Sequence, residues 1–300
     1  MHLLVTDFDE TVTKKDTIST LAELPYLHKS FPVPWAHFVD TYNQGYQKFT
    51  VANRDLPILN VWNSNREQLI TVGNYEQMFR AEIDYQKSMR PIELNSIQEL
   101  EDKGAFTNIT LDQVRELSRA RTNLLRDDFL EAWRAVSEVH ILSVNWSRVF
   151  IESMLACAVT TDEATGINPP VQTTCNDLIA EEGRLTGKFN KAVVTGYDKI
   201  EELKKLLKAS SATRTIWYVG DSETDLLSTL YPGVNGVILL DPEENRKKFD
   251  KITSVLGVKH EDLKGYSTAR DLDCVKISCK MNGALYFVKS WKALVRLLRQ

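Results

Sequence analysis

A short apolar run, Leu3, Leu4 and Val5, ends in polar Thr6 and the acidic sequence DFDE, and the next run of that kind is HILSV, His140 to Val144. A continuous apolar run of this sort is how a parallel strand buried on both faces reads. A crossover back to a neighbouring parallel strand needs only about a dozen residues, yet roughly residues 13 to 138 intervene here. The chain therefore has to carry a large insertion at the carboxyl end of its first strand.

Two more strand-like runs follow, TIWYVG (Thr215 to Gly220) and NGVILL (Asn235 to Leu240), with helical segments at Arg148 to Cys157, Lys199 to Lys208 and Glu223 to Leu230. This alternation is the pattern of an open α/β sheet with crossover helices. Inside the insertion, Phe38 to Phe49, Asn65 to Val72, Tyr75 to Tyr85, Ile92 to Lys103, Leu111 to Leu117 and Leu124 to Val136 mix apolar and charged residues without strand alternation. They are predicted as helices broken at Pro57, Gly73, Pro91 and Gly104. Thr160 to Lys191 is less regular: Pro169 and Pro170 mark a turn, and VQTTC with LTGKF is predicted as a small ribbon around Glu182 and Gly183. A polar helix is expected near Glu243 to Leu256, followed by an ill-defined stretch to Lys280. The basic amphipathic end YFVKSWKALVRLLRQ fits a helix packed on the core.

With 300 residues and 43% hydrophobic content the chain can bury a full core and a second, smaller one. Its 37 basic and 41 acidic residues argue against a strongly basic nucleic-acid binder. Cys157, Cys175, Cys274 and Cys279 form no CxxC pair, so reduced thiols are expected. The start MHLLVTDFDE has no basic leader ahead of a long apolar run, and no later stretch reaches membrane-spanning length. A cytoplasmic, monomeric protein is the expectation.

Asp7 and Asp9 follow the first strand; Asp221 and Asp225, in GDSETD, follow the strand that ends at Gly220. Ligands of such sheets bind at the carboxyl edge. Phosphoryl transfer needs a nucleophile, a proton donor for the leaving oxygen and positive charge on the phosphoryl oxygens. Either motif alone has a bland reading, as an acidic helix cap or a turn before a helix. Their joint occurrence at two strand ends argues for a site, and Mg2+ suits such hard oxygen ligands.

These residues resemble the haloacid dehalogenase (HAD) superfamily, most members of which are phosphatases. In DFDET the resemblance implies Asp7 as the phosphorylated nucleophile and Asp9 as general acid and base. Ser143 in HILSVNWS matches the hydroxyl that binds a phosphoryl oxygen, and Asn145 is a further candidate substrate contact; Val144 and Asn145 stand where phosphoserine phosphatase-like relatives often carry a glycine pair. Lys199 in TGYDKIEELKKLL matches the family lysine, with Lys188 and Lys191 as competitors. The implied metal is Mg2+, drawn from Asp7, Asp9, Asp221 and Asp225.

The implied fold is α/β, a HAD-like Rossmannoid open parallel sheet with an inserted α-helical cap. Its catalytic core is residues 1–12 plus 127–300, and 13–126 is the cap. The implied activity is magnesium-dependent hydrolysis of a small-molecule phosphomonoester through an aspartyl-phosphate. A phosphotransferase using the same intermediate and a noncatalytic metabolite-binding regulator are the alternatives. The expected partner is a small phosphorylated metabolite, with no nucleic-acid polymer and no membrane. Arg54, Arg66, Arg80, Arg119, Arg121 and Arg126 are candidate cap contacts to an anion, each ordinarily a solvent-facing helix residue. Trp35, Tyr42, Tyr46, Phe49 and Trp62 read first as cap core.

Overall fold

The computed structural model describes residues 1–162, 168–210, 214–266 and 272–300. The parts of the irregular Thr160 to Lys191 segment and of the stretch before Lys280 that fall at 163–167 and 267–271 lie outside these residues.

Strand β1 (His2–Thr6) leads into the insertion, which carries α1 (Ile18–Leu21), α2 (Leu24–His28), α3 (Trp35–Lys48), α4 (Asn60–Ser64), α5 (Tyr75–Met78), α6 (Arg80–Asp102) and α7 (Leu111–Arg119). Helix α8 (Phe129–Arg134) returns the chain to β2 (Glu138–Leu142), after which come α9 (Arg148–Thr161) and β3 (Val171–Thr174). A hairpin of β4 (Leu178–Glu181) and β5 (Arg184–Phe189) precedes α10 (Gly196–Ala209), β6 (Thr215–Gly220), α11 (Leu226–Leu230) and β7 (Val234–Leu239). The carboxyl end adds α12 (Arg246–Leu256), β8 (Cys274–Lys280), β9 (Gly283–Val288) and α13 (Trp291–Leu298).

Seven strands form one open sheet in the order β3-β2-β1-β6-β7-β9-β8. All neighbours are parallel except β8, which runs antiparallel to β9. This is the open Rossmannoid sheet with a multi-helix insertion that the strand runs imply, widened by one antiparallel edge.

Strand alternation sorts the core onto two faces. Leu4, Val139, Ile141, Trp217 and Val219 join one buried cluster, while Leu3, Val5, Leu142, Ile216 and Tyr218 join the other. The insertion contributes to both, with Phe38, Ile97, Leu100 and Phe106 on the first face and Ile58, Trp62, Ile70, Tyr75 and Phe79 on the second. It is therefore seated against the sheet on two sides rather than standing off it.

Several predicted boundaries move. Asn65 to Val72 is not helical: Ile70 lies fully buried against the edge of β8, its N–H donating to the Cys279 carbonyl at 3.0 Å and its own carbonyl accepting from Met281 N at 2.8 Å. An uncovered edge strand offers unpaired backbone groups, and here they outweigh local helix propensity. Pro91 does not end a helix, since α6 runs through it from Arg80 to Asp102. The cost of the missing N–H is met by packing: Met89, Ile92, Ile97 and Leu100 are buried, and α3 comes so close that a Cβ on Gly45 would lie 2.8 Å from Ile92 Cγ2. The segment predicted as one helix from Tyr75 to Tyr85 breaks at Phe79, and the one predicted from Leu124 to Val136 is a 3-10 turn, Thr122–Leu124, followed by α8. VQTTC does not pair with LTGKF; it supplies β3, parallel to β2, and LIAE is the partner across Glu182 and Gly183. YFV at the carboxyl end is the end of β9, and only Trp291–Leu298 is helical, burying Trp291, Ala293, Leu294, Val295 and Leu298. The four cysteines are free, and no helix among the described residues is long and apolar enough to cross a membrane.

The edge is also held by a buried lysine. Lys280 Nζ donates to the carbonyls of Thr229 at 2.6 Å, Tyr231 at 3.1 Å and Val234 at 2.7 Å, closing the end of α11 and the start of β7. Lys280→Met would keep the stem and strand three buried acceptors, so a loss of about 2–4 kcal/mol is expected in chemical unfolding; unchanged stability would show that these carbonyls find other donors.

Candidate active site

The chain turns at the carboxyl ends of β1 and β6 and brings two acidic loops together. Asp7 N–H continues the ladder to the Val219 carbonyl at 2.9 Å, and Phe8 N–H donates to Asp7 Oδ1 at 2.8 Å. From the β6 side, Asp221 and Asp225 each offer an oxygen that, with one from Asp7, lies within 4.8 Å of the others. Gly220 permits this turn: a Cβ there would overlap the Asp225 carboxylate.

Lys199 sits in the first turns of α10 with its side chain wholly buried, its Nζ 2.8 Å from Asp7 Oδ2 and 2.8 Å from Asp225 Oδ1. Asp198 fixes that helix start by accepting from Val194 N and Thr195 N, both at 2.9 Å. Lys188 and Lys191 are elsewhere, paired with Glu101. Burial works against the Lys199 charge, but Asp225 and Asp7 raise its pKa above the ordinary lysine value.

The carboxylates differ in how they are held. Asp225 accepts from Lys199 and Tyr218 Oη on one oxygen, both at 2.8 Å, and from Asp221 N, Ser222 N and Ser222 Oγ on the other, at 3.2, 3.1 and 2.8 Å. Burial opposes its charge, yet Lys199 and these donors keep its pKa below the ordinary carboxylate value. Asp221 accepts from Thr11 Oγ1 at 2.6 Å on Oδ1 and from Lys248 on Oδ2, and burial raises its pKa. Asp7, buried and close to both Asp225 and Asp221, is pushed up to about 7 despite Lys199.

Asp9 stands apart from the three-carboxylate cluster. Its Oδ1 accepts from Thr17 N at 2.6 Å and Thr17 Oγ1 at 2.5 Å, and its Oδ2 from Asn145 Nδ2 at 2.8 Å. Burial, with Asp16 adding to it, brings its pKa up to about 6. Ser143 lies buried just beyond β2, its Oγ accepting from Asn145 N at 3.2 Å. Asn145 is thus spent on aiming Asp9, with its other amide contact to Thr17 Oγ1 at 2.9 Å and its Oδ1 accepting from Ser147 N at 3.1 Å. Ser147 caps α9 through Phe150 N.

Sequence reasoning missed Thr11, Thr17, Glu10, Tyr218 and Lys248. Single hydroxyls and lysines far along the chain give no local pattern; Thr11 and Asp221 are 210 residues apart. Of the candidate arginines, Arg54 reaches the loop after β6, paired with Glu223 and with Glu82 at 2.7 Å. Arg66 pairs with Asp262 and Arg121 with Glu23. Trp62 is buried in the cluster that the insertion shares with the sheet, and Tyr42 hydrogen-bonds Tyr46 and Glu93.

The donor set fits Mg2+, since the clustered ligand atoms are all carboxylate oxygens, the hard donors this ion prefers. Asp7 and Asp221 are the two best placed to hold it, because each side chain accepts from two donors whereas that of Asp225 accepts from five.

No family model matches the chain. It is 35% identical to cold tolerance protein 1 of Saccharomyces cerevisiae across 99% of this chain and 98% of that protein. The chain belongs to the cold tolerance protein 1 family. CTO1 family protein C17G9.12c of Schizosaccharomyces pombe is 24% identical across 97% of both chains. Among solved structures, cytosolic 5'-nucleotidase IIIB bound to cytidine superposes with a TM-score of 0.50 at 14% identity, over 99% of this chain and 85% of the nucleotidase. The fold of this member of the cold tolerance protein 1 family is HAD-like. It carries a clustered carboxylate site and a buried lysine at the carboxyl ends of β1 and β6.

The metal-free protein should report Asp7 through its stability. The Asp7 carboxyl titrates near 7 in the fold against 3.8 ordinarily, so between those values the folded chain holds a proton that the unfolded chain has released. Its contribution to stability therefore falls as pH rises from about 4 to 7. In EDTA, Asp7→Asn should gain on the wild type across that window, by at most about 1.4 kcal/mol per pH unit, and run parallel to it above. A pH-independent difference between the two unfolding curves would contradict the raised pKa.

Proposed function

We propose that this protein hydrolyses a small-molecule phosphomonoester, with Mg2+, through an aspartyl-phosphate on Asp7. The observation that carries this reading is the wholly buried Lys199 ammonium, 2.8 Å from both Asp7 and Asp225, beside the Asp221 carboxylate. Burying this much charge at a sheet edge is costly for a structural purpose alone; it suits a site that must receive a dianion.

Asp7 is the nucleophile: its carboxylate oxygen attacks phosphorus, and the bond to the leaving oxygen breaks. Asp9 gives that oxygen its proton, then takes one from the water that attacks the aspartyl-phosphate, releasing phosphate and restoring Asp7. With a pKa of about 6, it is poised to act in both directions near neutrality. Lys199 and the Ser143 hydroxyl hold the phosphoryl oxygens as charge shifts onto them. Asp7 and Asp221 would hold the ion, which would supply further positive charge for the phosphoryl group.

Residues 13–126 act as the cap and 1–12 with 127–300 as the catalytic core. Support for this division is that the insertion meets the catalytic loops by polar contacts: Gln86 Oε1 accepts from Gly196 N at 3.2 Å, Arg90 donates to Asp198 at 2.6 Å, and Arg54 pairs with Glu223. A closed cap admits a small metabolite and excludes bulk water.

Phosphate release from a broad phosphometabolite panel with added Mg2+ tests the reaction. Release should vanish in EDTA and in Asp7→Asn. Asp9→Asn should fall by about 10²–10⁴-fold and accumulate protein carrying one phosphoryl group, seen by intact mass. Release that persists in folded Asp7→Asn would sink the mechanism.

A further inference from the structure

Lys248 is unexplained by this chemistry. It is the third residue of α12, in the carboxyl-terminal part of the chain, and Asn245 Oδ1 fixes the helix start by accepting from its backbone N–H at 3.0 Å. Its ammonium contacts Asp221 Oδ2 and lies 2.7 Å from Glu10 Oε2. Thr11 donates to Asp221 Oδ1, and Lys248 covers Oδ2, the oxygen that Thr11 leaves open. Three clustered carboxylates, Asp7, Asp221 and Asp225, face two ammonium groups, Lys199 and Lys248, which leaves one negative charge when all three are ionised.

The two lysines are held very differently. Lys199 has no exposed surface and two buried partners. The Lys248 side chain is 19% exposed and bridges a buried carboxylate, 2% exposed, to one at the surface, 44% exposed. It can leave Asp221 and keep a charged partner in Glu10.

We infer that Lys248 is a tethered cation that occupies the metal-facing oxygen of Asp221 until a divalent ion displaces it toward Glu10. Metal binding is then a competition with the chain's own ammonium, and α12 sets the metal affinity of the site. This rests on the metal-dependent reading above. The groups around Lys248 are Glu10 and Asp221; on the same helix Arg246 pairs with Asp250, and Lys251 pairs with Glu223 of the loop after β6.

The test is Mn2+ binding to the full chain by calorimetry, with Asp221→Asn as the reference that ties the signal to this site. Lys248→Met should bind Mn2+ about tenfold more tightly than the wild type, equivalent to about 1.4 kcal/mol. Lys248→Arg, which keeps the charge and guards against a folding artefact, should bind no more tightly than the wild type. Lys251→Gln removes the same charge from the same helix and should leave affinity within about twofold, as expected for a surface pair. Glu10→Gln should weaken binding in the wild type and have no effect in the Lys248→Met background. Equal Asp221-dependent affinity in wild type and Lys248→Met, or an equal gain in Lys251→Gln, would overturn the role of Lys248 alone. Binding that survives Asp221→Asn, or no binding in either protein, would remove the metal reading itself.

Discussion

A lysine with no exposed surface fixes the geometry of everything around it. An ammonium taken out of water has to be repaid by charged partners in good geometry, and Lys199 finds them in Asp7, at the end of β1, and Asp225, in the loop after β6. Those residues belong to two adjacent strands and a helix that starts between them in sequence, so the ion cluster locks β1, β6 and α10 to one another. Asp225 pays for its own burial by collecting three further donors from the loop it closes, the backbone of Asp221 and the backbone and hydroxyl of Ser222. Removing any partner would leave a buried charge unmatched, which is why the site behaves as a unit.

The support for this unit comes from both excursions of the chain outside the simple α/β core. The insertion sends Gln86 to the start of α10 and Arg90 to its capping Asp198. The carboxyl-terminal part sends Trp291, whose indole donates to the Thr11 carbonyl at 2.9 Å, and Lys248, which meets Asp221. The segment that looks like an appendage beyond the last acidic motif therefore braces the loop that holds Asp7. It also extends the sheet, with β9 pairing along β7.

What the sequence makes legible is what short-range physics decides. Leu3 to Val5 and Thr215 to Gly220 are apolar runs bounded by acidic turns, and they are buried strands here. DFDE and GDSETD stand out because carboxylates at strand ends are local patterns, and the structure brings Asp7, Asp221 and Asp225 to one place. Family order, not any local property, separates Lys199 from Lys188 and Lys191. The failures are tertiary. Asn65 to Val72 has helical composition, but Ile70 gains more by pairing with the edge of β8. Pro91 marks a break by propensity and is carried through by the packing of α6 on α3. Strand β8 itself has lysines at Lys276 and Lys280 and only partial burial, so its polarity hides it until the backbone of β9 is in place. Lys248 has no signature at all, since its meaning comes from a carboxylate 27 residues away.

The two carboxylates of GDSETD show how one loop assigns different work to like groups. Four residues apart and both buried, they have pKa values displaced in opposite directions, Asp225 down and Asp221 up. The cause is the partner set rather than burial, which raises both. Asp225 has Lys199, a phenol, a hydroxyl and two backbone N–H groups, so it stays ionised and serves as the anchor for the lysine. Asp221 has one hydroxyl and one lysine that is shared with Glu10, so burial still raises its pKa. Environments that push like groups apart are how a single fold separates scaffold from chemistry. In this chain the separation is made by donors that converge from β6, α10 and α12, elements spread between Gly196 and Leu256.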